Sequence, residues 1–237
     1  TGLVLYRKEK GQWVFDRKLD GLKESCRIMV KDEDQSIWIS HPYRGVYNVR
    51  WNAGNKDKID IRFFNQENGL PTNLNNYVFQ IAGKAVFATE KGVFHFDRSK
   101  DTFVPDDDFN RLLDKQHRVR YLREDTKGNV WYVTDHEAGM LIVNDFGLKK
   151  EVRKKVIPEL AGKLVGGFEF LLPIDGHNMI IGTEQGFIHY ALDEEDQSDT
   201  LLQIILSNIT ASGTSDSTLF GGFYSGSNIP SPDEAPT

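Results

Sequence analysis

Glycines 45, 92, 139 and 186 recur at intervals of 47 residues, and each opens a short apolar run. The runs are Gly45-Val46-Tyr47-Asn48-Val49, Gly92-Val93-Phe94-His95-Phe96, Gly139-Met140-Leu141-Ile142-Val143 and Gly186-Phe187-Ile188-His189-Tyr190. A further copy, Gly2-Leu3-Val4-Leu5-Tyr6, lies 43 residues upstream of Gly45. A chain phased in this way is built from stacked copies of one supersecondary unit. Ahead of the four later glycines lies a second strand-length run, as in Ser36-Ile37-Trp38-Ile39-Ser40 and Asn129-Val130-Trp131-Tyr132-Val133-Thr134. A third precedes that one across a polar turn: Ile28–Lys31, Val78–Ile81, Tyr121–Asp125 and Phe170–Asp175. A fourth follows the glycine run at Trp13–Phe15, Ile59–Phe64 and Thr102–Val104. Four short strands per unit of this length is the arithmetic of a β-propeller blade. The first two positions after each glycine are apolar in every copy, as in strands covered on both faces by neighbouring blades.

Composition removes several function classes. The net charge of −6 argues against a general nucleic-acid binder, which would present a basic patch. No apolar run approaches the ~20 residues of a membrane-spanning helix; Leu201–Leu206 is strand-sized. A lone cysteine, Cys26, excludes an internal disulfide framework and a Cys-rich metal site. The chain opens Thr1-Gly2-Leu3 and closes on Ser-Pro-Asp-Glu-Ala-Pro-Thr, which reads as a piece of a longer protein.

Asp125-Thr126-Lys127-Gly128-Asn129-Val130-Trp131-Tyr132-Val133-Thr134 and Gly92-Val93-Phe94-His95-Phe96-Asp97, repeated in phase, resemble the two-component regulator propeller repeat. The links Asn68-Gly69-Leu70-Pro71-Thr72-Asn73 and Asp20-Gly21-Leu22-Lys23-Glu24-Ser25 fit its inter-blade pattern. Departures are Phe87 and Ile180 where Trp is usual, and the loosened segment Ser40–Gly45. The resemblance covers residues 1–192. It implies the periplasmic sensor region of a hybrid two-component histidine kinase of the Bacteroidetes type, with a membrane span and kinase downstream. Leu201–Leu206 followed by Asn208-Ile209-Thr210 resembles the first strand of the immunoglobulin-like Y_Y_Y domain of such sensors. The Ser-, Thr-, Gly- and Pro-rich stretch from Ala211 to Thr237 also fits a flexible linker. The expected architecture is therefore all-β: four to five four-stranded blades over residues 1–199, part of a larger propeller, then the start of an immunoglobulin-like domain over residues 200–237.

Candidate chemistry is sparse. His95 and His189 share a column with Asn48 and Ile142, which marks a packing position with a polar option. The acidic runs Asp32–Asp34, Asp106–Asp108 and Asp193–Asp196 read as solvated turns. Lys149–Lys155 reads as a surface insertion, or as a site for anionic sugars. No nucleotide loop, catalytic triad or HExxH motif is present. The loops at the channel face offer His41, Tyr43, Arg44, Asn73, Asn75, Asn76, Arg118, Arg120, Asp135 and His136 as ligand-binding candidates. Asn, Arg and His suit hydrogen bonding to sugar hydroxyls, and Tyr suits stacking on a sugar face.

The reading is a non-catalytic, periplasmic, carbohydrate-sensing region with no catalytic residue, metal or cofactor. The expected partner is a small molecule or oligosaccharide, with no nucleic acid and no membrane contact in this segment. Homodimerisation of the whole sensor is left open. Two other classes compete: a protein-interaction scaffold and a catalytic propeller such as a lyase. Unpaired blade edges are also expected to make the isolated segment self-associate.

Overall fold

The computed structural model of the chain describes residues 2–52, 55–113, 117–146, 149–191, 208–211 and 217–221. Strands β1 (Leu3–Glu9) and β2 (Gln12–Leu19) form a hairpin, the outer half of a first blade. The second blade is a meander of β3 (Ile28–Lys31), β4 (Ile37–His41), β5 (Gly45–Asn52) and β6 (Asn55–Phe64). The third holds β7 (Tyr77–Ile81), β8 (Lys84–Thr89), β9 (Gly92–Asp97) and β10 (Thr102–Pro105). The fourth holds β11 (Val119–Glu124), β12 (Val130–Thr134), β13 (Ala138–Phe146) and β14 (Lys149–Val156). Of the fifth, β15 (Leu171–Pro173), β16 (Asn178–Thr183) and β17 (Gly186–Ala191) are described. These blades form one compact unit, Thr1–Leu192; a second unit, Asp193–Thr237, contains a hairpin of β18 (Asn208–Ala211) and β19 (Ser217–Gly221). The expected strand at Leu201–Leu206 lies outside the described residues.

All sheet pairings are antiparallel, and the strands alternate their side chains between the two neighbouring blades. In β8, Ala85 and Phe87 join Trp38, Val46 and Phe64 of the second blade, whereas Val86 and Ala88 join Val119, Val130 and Tyr132 of the fourth. In β12, Val130 and Tyr132 face back to the third blade while Trp131 and Val133 pack on Leu171, Met179 and Ile181 of the fifth. Ile39 and Val49 face the first blade with Leu22. Each inter-blade interface is thus its own hydrophobic cluster, which is why consecutive residues of one strand are both buried. The innermost strands β3, β7 and β11 lie side by side.

The phased glycine has a steric reason. Gly45 has φ 127°, and a Cβ there would lie 2.2 Å from the Phe64 carbonyl oxygen in the neighbouring outer strand. At Gly139 the same atom would meet the Lys155 carbonyl at 2.3 Å. The glycine lets the third strand leave its hairpin directly beneath the fourth.

Three sequence readings are corrected. Lys149–Lys155 is no insertion: it is β14, the outer strand of the fourth blade, paired along β13 from Gly139↔Val156 to Phe146↔Lys149. An outer strand has one flank unpaired, so lysines suit it. Asp106–Asp108 is no simple turn either. Asp106 accepts from the Phe109 N–H at 3.2 Å and precedes helix α1 (Asp107–Leu113), whose first turn holds Asp107 and Asp108. Where β10 stops, Asn110 of α1 continues its pairing: the side chain both accepts from the Val93 N–H and donates to the Val93 carbonyl, each at 2.8 Å.

Asp32 is likewise more than a solvated loop residue. Its buried carboxylate accepts from the Trp38 indole at 3.1 Å, from the Ala85 N–H of the next blade at 2.9 Å and from Arg98 at 2.6 Å. Asp125 repeats the indole bond to Trp131 at 3.3 Å, and Glu124 accepts from the Ala82 N–H of the preceding blade at 2.7 Å. The column of His95 and His189 is a position of polar bonds, buried at Asn48 and exposed at His189. Asn48 donates to Ser36, His95 sits 3.5 Å from Asp106, and His189 contacts Asn178 at 2.7 Å.

Candidate functional site

Each blade sends two kinds of segment to one end, the mouth: the hairpin between its second and third strands, and the connection into the next innermost strand. The opposite end carries the turns that bond blade to blade, as Asp32 and Glu124 do. Polar groups there are spent on neighbours, so the mouth is where unspent chemistry can lie.

The ten sequence candidates divide by what holds them. His41 is buried at the end of β4; its Nδ1 accepts from the Tyr43 N–H at 3.2 Å and its Nε2 lies 3.7 Å from Glu24. Arg44 pairs with the same Glu24 at 2.7 Å. Asn73 accepts from the Gln66 N–H at 2.9 Å, tying down its own connection. Asn75, at φ 56°, binds the second-blade hairpin through Pro42 O at 2.9 Å and the third-blade hairpin through Glu90 at 2.8 Å. Asn76 is fully buried and donates to Thr72 O at 2.8 Å. Arg120 is clamped by the mostly buried Glu169 at 2.6 Å, with Asp135 at 4.0 Å. These seven residues, Asp135 included, build the mouth's walls. Tyr43, 73% exposed, projects from them, as does His136, whose ring meets His117 edge-on with centroids 4.4 Å apart. Arg118 is the tenth, and its Nε is buried without a hydrogen-bond partner among the described residues.

Three residues outside that set matter as much. Arg27 and Arg118 each immediately precede an innermost strand, β3 and β11, and Tyr77 opens β7, which lies between those two strands. The Arg27 guanidinium carbon lies 5.3 Å from the centroid of the Tyr77 ring and 4.9 Å from that of Phe168. Phe168, 75% exposed, belongs to the connection into β15, which runs Gly166-Gly167-Phe168-Glu169-Phe170. Glu169 anchors that connection to Arg120 and accepts from the Gly167 N–H at 3.0 Å, so Phe168 is held against Arg27 from the far side of β7 and β11. At the fourth-blade hairpin, Tyr132 donates to Glu137 at 3.0 Å, and Lys154 pairs with Glu137 at 2.5 Å. Burial, and next the Glu137 carboxylate, push the Tyr132 phenol well above its ordinary range, leaving it a neutral donor.

Among solved structures, the extracellular domain of the hybrid two component system BT3049 of B. thetaiotaomicron is similar at TM-score 0.51 and 15% identity, over 97% of this chain and 33% of that one. The chain has the fold of that sensor ectodomain. The extracellular domain of hybrid two component system BT4673 aligns at TM-score 0.41 and 12% identity, over 71% of this chain and 30% of that one. PorZ, a surface component of the type-IX secretion system of Porphyromonas gingivalis, aligns at 0.47 and 13%, over 79% and 29%. The chain spans about a third of the length of these structures. No family model and no curated protein matches it.

Within this β-propeller fold no helix among the described residues is long and apolar enough to cross a membrane. Among the same residues no cluster of three or more His, Cys, Asp or Glu side chains could hold a metal ion. Arg27, Phe168 and Glu169 escaped the sequence reading because none lies in the repeated motif. The available signal was positional: Arg27 and Arg118 each immediately precede an innermost strand.

Proposed function

We propose that this chain is a ligand-recognising propeller segment of an extracytoplasmic two-component sensor, and that its ligand is a carbohydrate bound at the mouth. The observation that carries the reading is the asymmetry between the two ends. At the turn end, carboxylates and amides are bonded between blades; at the mouth, Tyr43 and Phe168 stand exposed above a rigid polar wall. Exposed rings over fixed hydrogen-bonding groups match the amphipathic faces of sugars. Shared fold with a sensor ectodomain supports the same class. Signalling would follow if the sugar binds one arrangement of propeller and tail more tightly than another, the tail beginning as an immunoglobulin-like domain at residues 200–237. The downstream kinase and membrane span belong to this proposal.

Calorimetric titration with a panel of plant and host oligosaccharides tests it. Saturable heat with at least one sugar, weakened at least tenfold by Tyr43→Ala or Phe168→Ala, is expected. Silence across the panel would return the chain to the scaffold class, and turnover of a sugar would make it a catalytic propeller.

A further inference from the structure

Resting on the sugar reading, we propose that Arg27 and Arg118 form an anion subsite at the mouth, and that the ligand is an acidic oligosaccharide bearing carboxylate or sulfate groups. The argument begins with the cations already committed. Arg44 is held by Glu24, Arg120 by Glu169 and Lys154 by Glu137. Arg27 and Arg118 differ: no described carboxylate lies within ion-pairing distance of either. They precede β3 and β11, the two innermost strands that flank β7, and Tyr77 opens β7.

Arg27 is in contact with two rings, which positions it and leaves its net charge uncompensated. Arg118 has a buried Nε–H with no acceptor among the described residues, and a buried donor left unpaired is costly. An oxyanion at the mouth compensates the Arg27 charge, and rotation of the half-buried Arg118 side chain brings its guanidinium to the same anion. A guanidinium offers paired donors that match the geometry of a carboxylate or a sulfate. The chain's net charge of −6 means that attraction at this place is local, and nucleic acid, which needs a broad basic field, is a poor fit. Phe168 beside Arg27 adds an apolar face against which the ring of a charged sugar can lie.

The test is calorimetry of the 237-residue chain with three probes: oligogalacturonate, chondroitin sulfate oligosaccharide, and carboxyl-reduced oligogalacturonate as the uncharged counterpart. At least one acidic probe is expected to bind tenfold or more tighter than the neutral one. That preference should shrink in 0.5 M salt, and the tighter acidic probe tells carboxylate from sulfate. Arg27→Gln and Arg118→Gln should each weaken the acidic probe at least tenfold and the neutral probe by a clearly smaller factor. Because Arg27 is exposed, Arg27→Gln should keep the parent melting temperature, which separates a binding loss from misfolding. Equal binding of neutral and acidic probes, or acidic binding indifferent to both substitutions, overturns the anion subsite and leaves the sugar reading standing. If neither these probes nor the wider panel binds, both fall.

Discussion

The third blade and the two terminal blades are made from the same repeat, yet they differ in what their strands touch. In the third blade Val78, Phe87, Ala88 and Val93 are inaccessible, because a neighbour covers each face. In the first blade Trp13 is 68% exposed, and Phe15 and Tyr6, stacked edge-on, are more than half exposed. In the fifth blade Phe187 is 77% exposed. Phe187 and Val93 stand in the same place, directly after their phased glycines 186 and 92, so the difference comes from neighbours and not from residue type. Burial in a repeat array is a property of adjacency.

That contrast can be broken first at the tryptophans. Trp38 is buried among Phe64, Phe87, Phe96 and Phe103. Trp38→Ala should cost about 3–5 kcal/mol in urea unfolding, whereas Trp13→Ala should stay within about 0.5 kcal/mol. Equal losses would show that the terminal blade is packed in solution.

The turn carboxylates come next. Asp32→Ala leaves the Trp38 indole and the Ala85 N–H without their acceptor and should cost about 2–4 kcal/mol. Asp175, exposed in the fifth blade, bonds only within its own turn, and Asp175→Ala should cost about 1 kcal/mol or less. Chemical denaturation of both variants decides whether bonding to the next blade carries the difference.

The phased glycines sharpen it further. Gly45→Ala meets both a positive φ and a carbonyl at 2.2 Å, whereas at Gly186 the φ is 125° and nothing lies within 4 Å. Gly186→Ala should therefore lose only the left-handed penalty of about 1–2 kcal/mol, and Gly45→Ala visibly more, read from thermal melts.

Acid has the smallest effect. The Ser99 hydroxyl, with Lys100, holds Asp97 far below the usual carboxylate range; Arg62 lowers Asp101, and the His177 N–H lowers Asp175. A carboxyl whose folded pKa is depressed contributes stability above its unfolded pKa and loses it as pH falls through the folded value. The melting temperature should hold from pH 7 to 5 with respect to these groups and decline below about 3.9. Asp97→Asn should make that decline slightly shallower. Since none of these three carboxylates is deeply buried, the decline should be shallow.

The fold was legible because every repeat restates it: Val46, Val93 and Met140 stand at one offset from their glycines and all face a neighbour. β14 hid because it needs few apolar residues; Lys149–Val156 contains just Val152 and Val156. The mouth was legible as a set of loops and not as pairings. Asn73 and Asn76 look like ligand groups in sequence, but the chain uses both to fix its own connection. The placement of Arg27 on Phe168 joins residues 141 positions apart, across blades whose spacing no local pattern encodes.

The Asp32 carboxylate has a consequence for how such arrays grow. It sits on a turn of one repeat and accepts from the backbone N–H of the next, a donor that every amino acid except proline supplies. Duplicating one unit therefore copies a joint that will accept almost any successor. A gene can lengthen such an array by whole repeats without having to invent a new fastening each time.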